Sequence, residues 1–201
     1  MSDSPVLLPL PLAGEPVGER SDAARNRAAL LCAAQQLVAE NGAEAVTMDD
    51  VAARAGVGKG TVFRRFGSRA GLMVAVLDQS EAHWQAQVIS GPPPLGPGAP
   101  PWERLEAFGR SRLETTMTHA DLLRAAGAAG SRSSPATSFV VQHVHHLLLE
   151  LGVTGDVRLL ATALMAPLEI ELLDALRTKG IDVERILHGW LDLARRIVGG
   201  C

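Results

Sequence analysis

Proline placement constrains this chain more than any other feature. Of its 12 prolines, four lie in the first 16 residues and six in residues 92–101, leaving only Pro135 and Pro167 elsewhere. Proline lacks an amide N–H and clashes with the preceding turn, so helix interiors exclude it. Residues 1–18 therefore read as a disordered N-terminal tail, and GPPPLGPGAPP (91–101) as a stiff, extended linker. Between these breaks the apolar spacing is helical. It predicts helices over about 22–40, 48–55, 59–66, 69–89, 102–118, 120–128, 136–151, 156–178 and 183–198. Asn41-Gly42, Gly56, Gly67, Gly152, Gly180 and Gly199 supply stop signals. Thr47, followed by Asp50 three residues later, resembles a capping box. Pro167 should kink its helix. No stretch alternates as a strand does, so the expected class is all-α.

Composition removes several functions. A hydrophobic share of 47% and a charged share of 20% over 201 residues describe a globular chain. The formal net charge is only -3, so nucleic-acid binding would need a local patch. Cys32 and Cys201 make neither a disulfide framework nor a zinc motif. Residues 6–13 (VLLPLPLA) imitate a signal sequence, but no Lys or Arg precedes them and prolines interrupt them. No apolar run approaches the ~18 residues of a membrane span. The expectation is a soluble cytoplasmic protein with no membrane partner. There is no GxSxG, phosphate-loop or HExxH pattern, and the evenly spaced Gly56, Gly58 and Gly60 follow no strand. No catalytic residue, cofactor or metal is expected.

Residues 47–69, TMDDVAARAGVGKGTVFRRFGSR, place two short helices around a glycine-containing turn, the helix-turn-helix pattern. Val51, Ala52 and Ala55 form the inner face of the first helix; Val57, Val62 and Phe66 form that of the second. At roughly 100° per residue, Gly60, Thr61 and Arg64 then point outward, with Phe63 and Arg65 on the flanks. Residues 51–70 hold Arg54, Lys59, Arg64, Arg65 and Arg69 and no acid, a local charge of +5. Small residues around one long arginine suit a major groove, with flanking cations for phosphates. The alternative is a helical hairpin with a solvated basic face.

Residues 20–72 resemble the DNA-binding domain of the TetR family of bacterial transcriptional regulators. The stretches that carry the likeness are RAALLCAAQQLVAENG (27–42) and TMDDVAARAGVGKGTVFRRFGSR (47–69) with the Gly-Leu that follows. The resemblance implies a three-helix DNA-binding domain, joined by a fourth helix to a larger helical ligand-binding and dimerisation domain. On this chain that divides into 19–67, a connecting helix at 68–90, the linker at 91–101 and a regulatory domain at 102–201. It implies a homodimer on a palindromic double-stranded DNA operator, usually a repressor released by a small-molecule effector of unknown identity. Thr47, Lys59, Thr61, Phe63, Arg65 and Arg69 stand where the family touches DNA; Gly60 and Arg64 join them from the helical rotation. Gly58 replaces the usual Ser, Phe63 a Tyr, Arg65 a frequent His and Arg69 a frequent Lys, a shift from hydroxyl toward cationic contacts. Arg25 and Arg27 are weaker phosphate candidates.

The last two long helices carry excess apolar surface, and a partner subunit would cover it. The expected interface residues are Leu164, Leu168, Leu172, Ile186, Trp190, Leu193 and Ile197; a purely intramolecular core is the competing reading. Phe139, His143, His146 and Glu150 share one helix face that could line an effector cavity. Trp102, Phe108, Met117 and Met165 complete the candidate lining, with Trp84 beside them. Aromatic residues are 3% of the chain and tyrosine is absent, which argues against a large stacking cage. A different class, a helical dimer sensing a ligand or protein partner with the helix-turn-helix as scaffold, would have no reason to keep acids out of 51–70.

Overall fold

A computed structural model of the protein describes residues 17–126 and 134–199, which form helices joined by turns and short connecting stretches. Helix α1 (Val17–Asn41) takes in the last two residues of the expected tail; the rest of that tail lies outside the described residues. A 3-10 turn (Ala43–Ala45) follows, then α2 (Met48–Arg54) and α3 (Lys59–Phe66). Their connecting turn needs Gly56 at φ 66°, a conformation costly for any residue with a Cβ. The capping box is present: the Thr47 hydroxyl accepts from the Asp50 amide, and the Asp50 carboxylate accepts from the Thr47 amide at 3.0 Å. Ser68 caps α4 (Arg69–Ser90) by accepting from the Gly71 amide at 3.1 Å. Then come α5 (Pro101–Thr118), α6 (Ala120–Ala126), α7 (Ser134–Glu150), α8 (Val157–Met165), α9 (Ile170–Thr178) and α10 (Val183–Gly199).

Two apolar clusters organise these helices. The N-terminal cluster joins Leu30, Ala34 and Leu37 of α1, Val51 and Ala52 of α2, Val62 of α3, and Leu72, Met73 and Val76 of α4. The C-terminal cluster joins Trp84 and Val88 of α4 to Phe108, Leu147, Leu164, Leu173 and Trp190. Thus α4 serves both cores. The segment after α5 also reaches the first of them: Leu122 and Ala126 of α6 are buried in the N-terminal cluster. Each fully buried Val, Leu, Met or Phe side chain among these contributes about 1.5–3 kcal/mol.

Three sequence expectations change. The helix expected over 156–178 is two helices, because Pro167 cannot donate into the ladder; a 3-10 turn (Ala166–Leu168) separates them. The segment 91–100 is not extended. It folds through consecutive turns, with the Gly96 amide donating to the Pro92 carbonyl at 3.0 Å and Leu95 packed on the C-terminal core. Most of the expected dimer residues are also internal. Leu164, Leu168, Ile186 and Trp190 are buried in the chain's own core, so no partner can reach them. The Trp190 indole donates to the Leu164 carbonyl at 2.7 Å, tying α10 to α8. Leu172 and Leu193 are exposed and Ile197 is half-buried.

Trp190 lies on Gly109 of α5: a Cβ there would come within 2.1 Å of the indole ring. Gly109→Ala is therefore expected to destabilise the fold by about 1–3 kcal/mol, the usual cost of overpacking. Urea unfolding measures it, and an unchanged midpoint would contradict this packing.

Candidate nucleic-acid interface

The α2–α3 unit is built from the inside. Val51 and Val62 are fully buried, Ala52 nearly so, and Val57 returns its amide to the Ala52 carbonyl at 3.0 Å. With this face inward, Lys59, Gly60, Phe63, Arg64 and Arg65 are exposed, and Thr61 is half-buried. Phe63 is 41% exposed, unusual for a large apolar side chain, with the Lys59 ammonium 5.8 Å from its ring centre. Phe66 turns inward and carries the Arg27 guanidinium at 5.3 Å. An open, nearly acid-free face on α3 is thus held by a rigid apolar back.

Tertiary structure redistributes the positive charge of 51–70. Arg54 makes a two-pronged pair with Glu40 of α1, at 3.0 and 2.7 Å. That pairing holds the Glu40 carboxyl below its usual range. Lys59 pairs with Asp49 of α2 at 2.7 Å, both side chains being more than half exposed. The Thr47 hydroxyl donates to Asp50 at 2.6 Å, and this bond pulls the Asp50 carboxyl down. Arg69, half-buried, donates from Nε to the Val46 carbonyl at 2.8 Å and from a terminal nitrogen to the Ala43 carbonyl. Arg64 and Arg65 remain at the surface of α3.

The residues expected to line an effector cavity are divided between core and surface. Phe108 and Met165 are buried core residues, and Trp102 and Met117 pack half-buried against that core. His143 lies between the Phe108 and Phe139 rings at 5.0 and 6.0 Å, stacked with both. Its Nε2 is buried without a hydrogen-bond partner. His146, one turn on, faces solvent and approaches Glu150 at 3.4 Å. The expected stripe is therefore split between core and surface.

Two clefts occur elsewhere. One, about 390 Å³, is lined by Leu95 and the outer face of α5, including Glu103, Glu106 and Glu114. The other, about 460 Å³, lies where Gln35 of α1 meets His83 and Gln87 of α4 and Ser111 and Thr115 of α5. Its lining carries no Lys, Arg, Asp or Glu. Of the lining residues considered from sequence only Trp84 belongs to it, with its indole donating to Ser111 at 2.9 Å. The polar positions 79, 80, 83 and 87 on α4 repeat at helical spacing, a signal that marks this face. Among the described residues no group of three or more His, Cys, Asp or Glu could hold a metal ion. No described helix is long and apolar enough to cross a membrane.

An all-helical chain with an N-terminal helix-turn-helix and a larger helical domain has the architecture of a helix-turn-helix regulator. Residues 30–76 match the family model for bacterial regulatory proteins of the tetR family. No curated protein matches the chain. Among solved structures, a TetR-family transcriptional regulator from Pectobacterium atrosepticum is 24% identical with a TM-score of 0.69, covering 90% of this chain and 96% of its own. A fatty acid degradation regulator from Bacillus halodurans is 16% identical with a TM-score of 0.60, covering 84% and 93%. A putative transcriptional regulator from Saccharomonospora viridis, solved with choline, is 20% identical with a TM-score of 0.59, covering 84% and 95%. The chain has the fold of TetR-family transcriptional regulators, as the resemblance read from residues 20–72 implied.

The His143 site yields a pH signature. Burial first, then the nearby charges of Arg104 and His146, lowers its pKa from 6.5 to about 4. Between those values the unfolded chain takes up a proton that the folded chain refuses. Stability from this group is complete above pH 6.5 and declines as the pH falls toward 4. His143→Phe keeps the stacking and should flatten that decline in thermal melts. Equal slopes in wild type and variant would contradict the buried neutral imidazole.

Proposed function

We propose that the protein is a DNA-binding transcriptional regulator that acts as a homodimer on a palindromic operator, as a repressor released by a small-molecule effector. The observation that carries this reading is the exposed face of α3, with Gly60, Thr61 and Arg64 set on an apolar back and cations on both sides. Gly60 lets the helix backbone approach the bases. The Arg64 fork matches guanine O6 and N7 in the major groove. Lys59 and Arg65 serve flanking phosphates, with Lys59 exchanging its exposed Asp49 partner at little cost. Phe63 offers an apolar surface to the groove wall. The work of such a protein lies in the cytoplasm, with DNA.

A second copy suits the outer faces of α8 and α10. Leu159 is 63% exposed and Leu193 37%, and Ala163, Ala166 and Gly189 add small exposed positions on the same two helices and the turn between α8 and α9. The tie between Trp190 and Leu164 keeps these helices together, as an isologous interface requires. For the effector, the cleft shared by α1, α4 and α5 is the favoured seat, because its lining spans both cores. A lining without formal charge suits an uncharged, hydrogen-bonding molecule.

Selection of bound DNA from a random pool by the purified protein tests the whole reading. Enrichment of an inverted repeat is expected; no enrichment would defeat it. On the selected operator, Arg64→Ala should cost about 1–3 kcal/mol and relax preference at one base pair per half-site. If it lowers affinity with an unchanged sequence profile, Arg64 is not the reading residue. Leu193→Glu, with its helix content intact by circular dichroism, should sediment as a monomer and bind the operator weakly. A dimer of wild-type strength would move the interface elsewhere.

A further inference from the structure

Arg69 opens α4, and no acidic residue accompanies it in that first turn. A cation at a helix N-terminus opposes the positive end of the macrodipole, so the position favours a guanidinium that finds acceptors elsewhere. Its acceptors are two backbone carbonyls, those of Ala43 and Val46. These bracket the 3-10 turn and include the peptide that leads into Thr47, the N-cap of α2. The side chains of Ala43 and Val46 are themselves buried. The guanidinium thus joins three things: the head of α4, the end of the 3-10 turn and the start of the helix-turn-helix. Because α2 and α3 share one apolar back, whatever fixes the start of α2 also sets the attitude of α3.

The same turn receives the regulatory segment. Helix α6 packs against it and against α4, burying Leu122 and Ala126 in the N-terminal core. Arg124 on α6 then makes a two-pronged pair with Asp174 of α9, at 2.9 and 2.6 Å.

We propose that Arg69 is a positioning residue: it pins the 43–46 turn to α4 and so sets the recognition helix, instead of neutralising a DNA phosphate. This rests on the DNA-binding reading above. The two roles have opposite signatures. A phosphate contact supports all DNA alike, and its loss lowers the salt slope by about one unit. A positioning contact supports mainly the operator, because base readout needs the attitude of α3 held closely, whereas the long Lys59 and Arg65 side chains still reach phosphates on any duplex.

The test compares wild type, Arg69→Ala and Arg69→Lys on the selected operator and on unrelated duplex DNA, over a salt series, well below each variant's melting temperature. For Arg69→Ala the expected result is a fall of about tenfold or more in operator affinity, with non-specific affinity and salt slope unchanged. Arg69→Lys keeps the charge but lacks the fork that serves two carbonyls, so it should fail to restore the operator. If Arg69→Ala is too unstable to assay, Arg69→Lys decides alone. Full operator affinity in Arg69→Lys, or an equal loss on both DNAs with a lower slope in Arg69→Ala, overturns the assignment. A wild-type protein that retains no DNA defeats the regulator reading itself, which is a different failure.

Discussion

Helix α4 belongs to two cores at once. Its first half gives Leu72, Met73, Ala75 and Val76 to the N-terminal cluster, and its second half gives Trp84 and Val88 to the C-terminal one. With 22 residues at a 1.5 Å rise, it spans about 33 Å. Close-packed interiors transmit displacement instead of absorbing it. The packing of α4 thus joins the C-terminal core to the domain that carries α2 and α3. Helix α6 supplies a second tie, apolar on the side of the N-terminal core and ionic toward α9. Its exposed ion pair contributes little energy, so the apolar contact of Leu122 and Ala126 is the stronger half.

Around that frame, charge is arranged more sparingly than a count of residues 51–70 implies. Arg54 is held by Glu40, Lys59 by Asp49, and Arg69 by backbone carbonyls. The partners of the first two lie outside the acid-free window, on α1 and at the start of α2. Arg64 and Arg65 lie exposed on α3, next to Gly60 and Phe63.

Regulation is where local reasoning was least reliable. Phe139, His143 and His146 share a helix face by spacing, yet His143 is stacked in the core and His146 is in solvent. An amphipathic stripe shows which positions can be buried, not what will meet them. Nor could spacing show that Gln35, distant in sequence, would close a cleft with α4 and α5. The same holds for Trp190, whose place on an apolar stripe suited a partner subunit as well as the internal Gly109 that it covers.

What was legible from the chain alone is local. Glycines and prolines set the helix ends because backbone conformation is decided residue by residue, as the breaks at Gly56, Gly67 and Pro167 show. The capping box, the inner face of Val51 and Val62 and the outward Arg64 follow from one helical period, and the motif in 47–69 carried the family likeness. What folding alone decided is every choice among long-range partners. Arg54 had several acids within the chain to choose from, Trp190 its own subunit or another, and Leu122 either core. Each has the same local sequence in both cases. The outcome depends on which surfaces distant segments bring within reach, and that is a property of the packed chain.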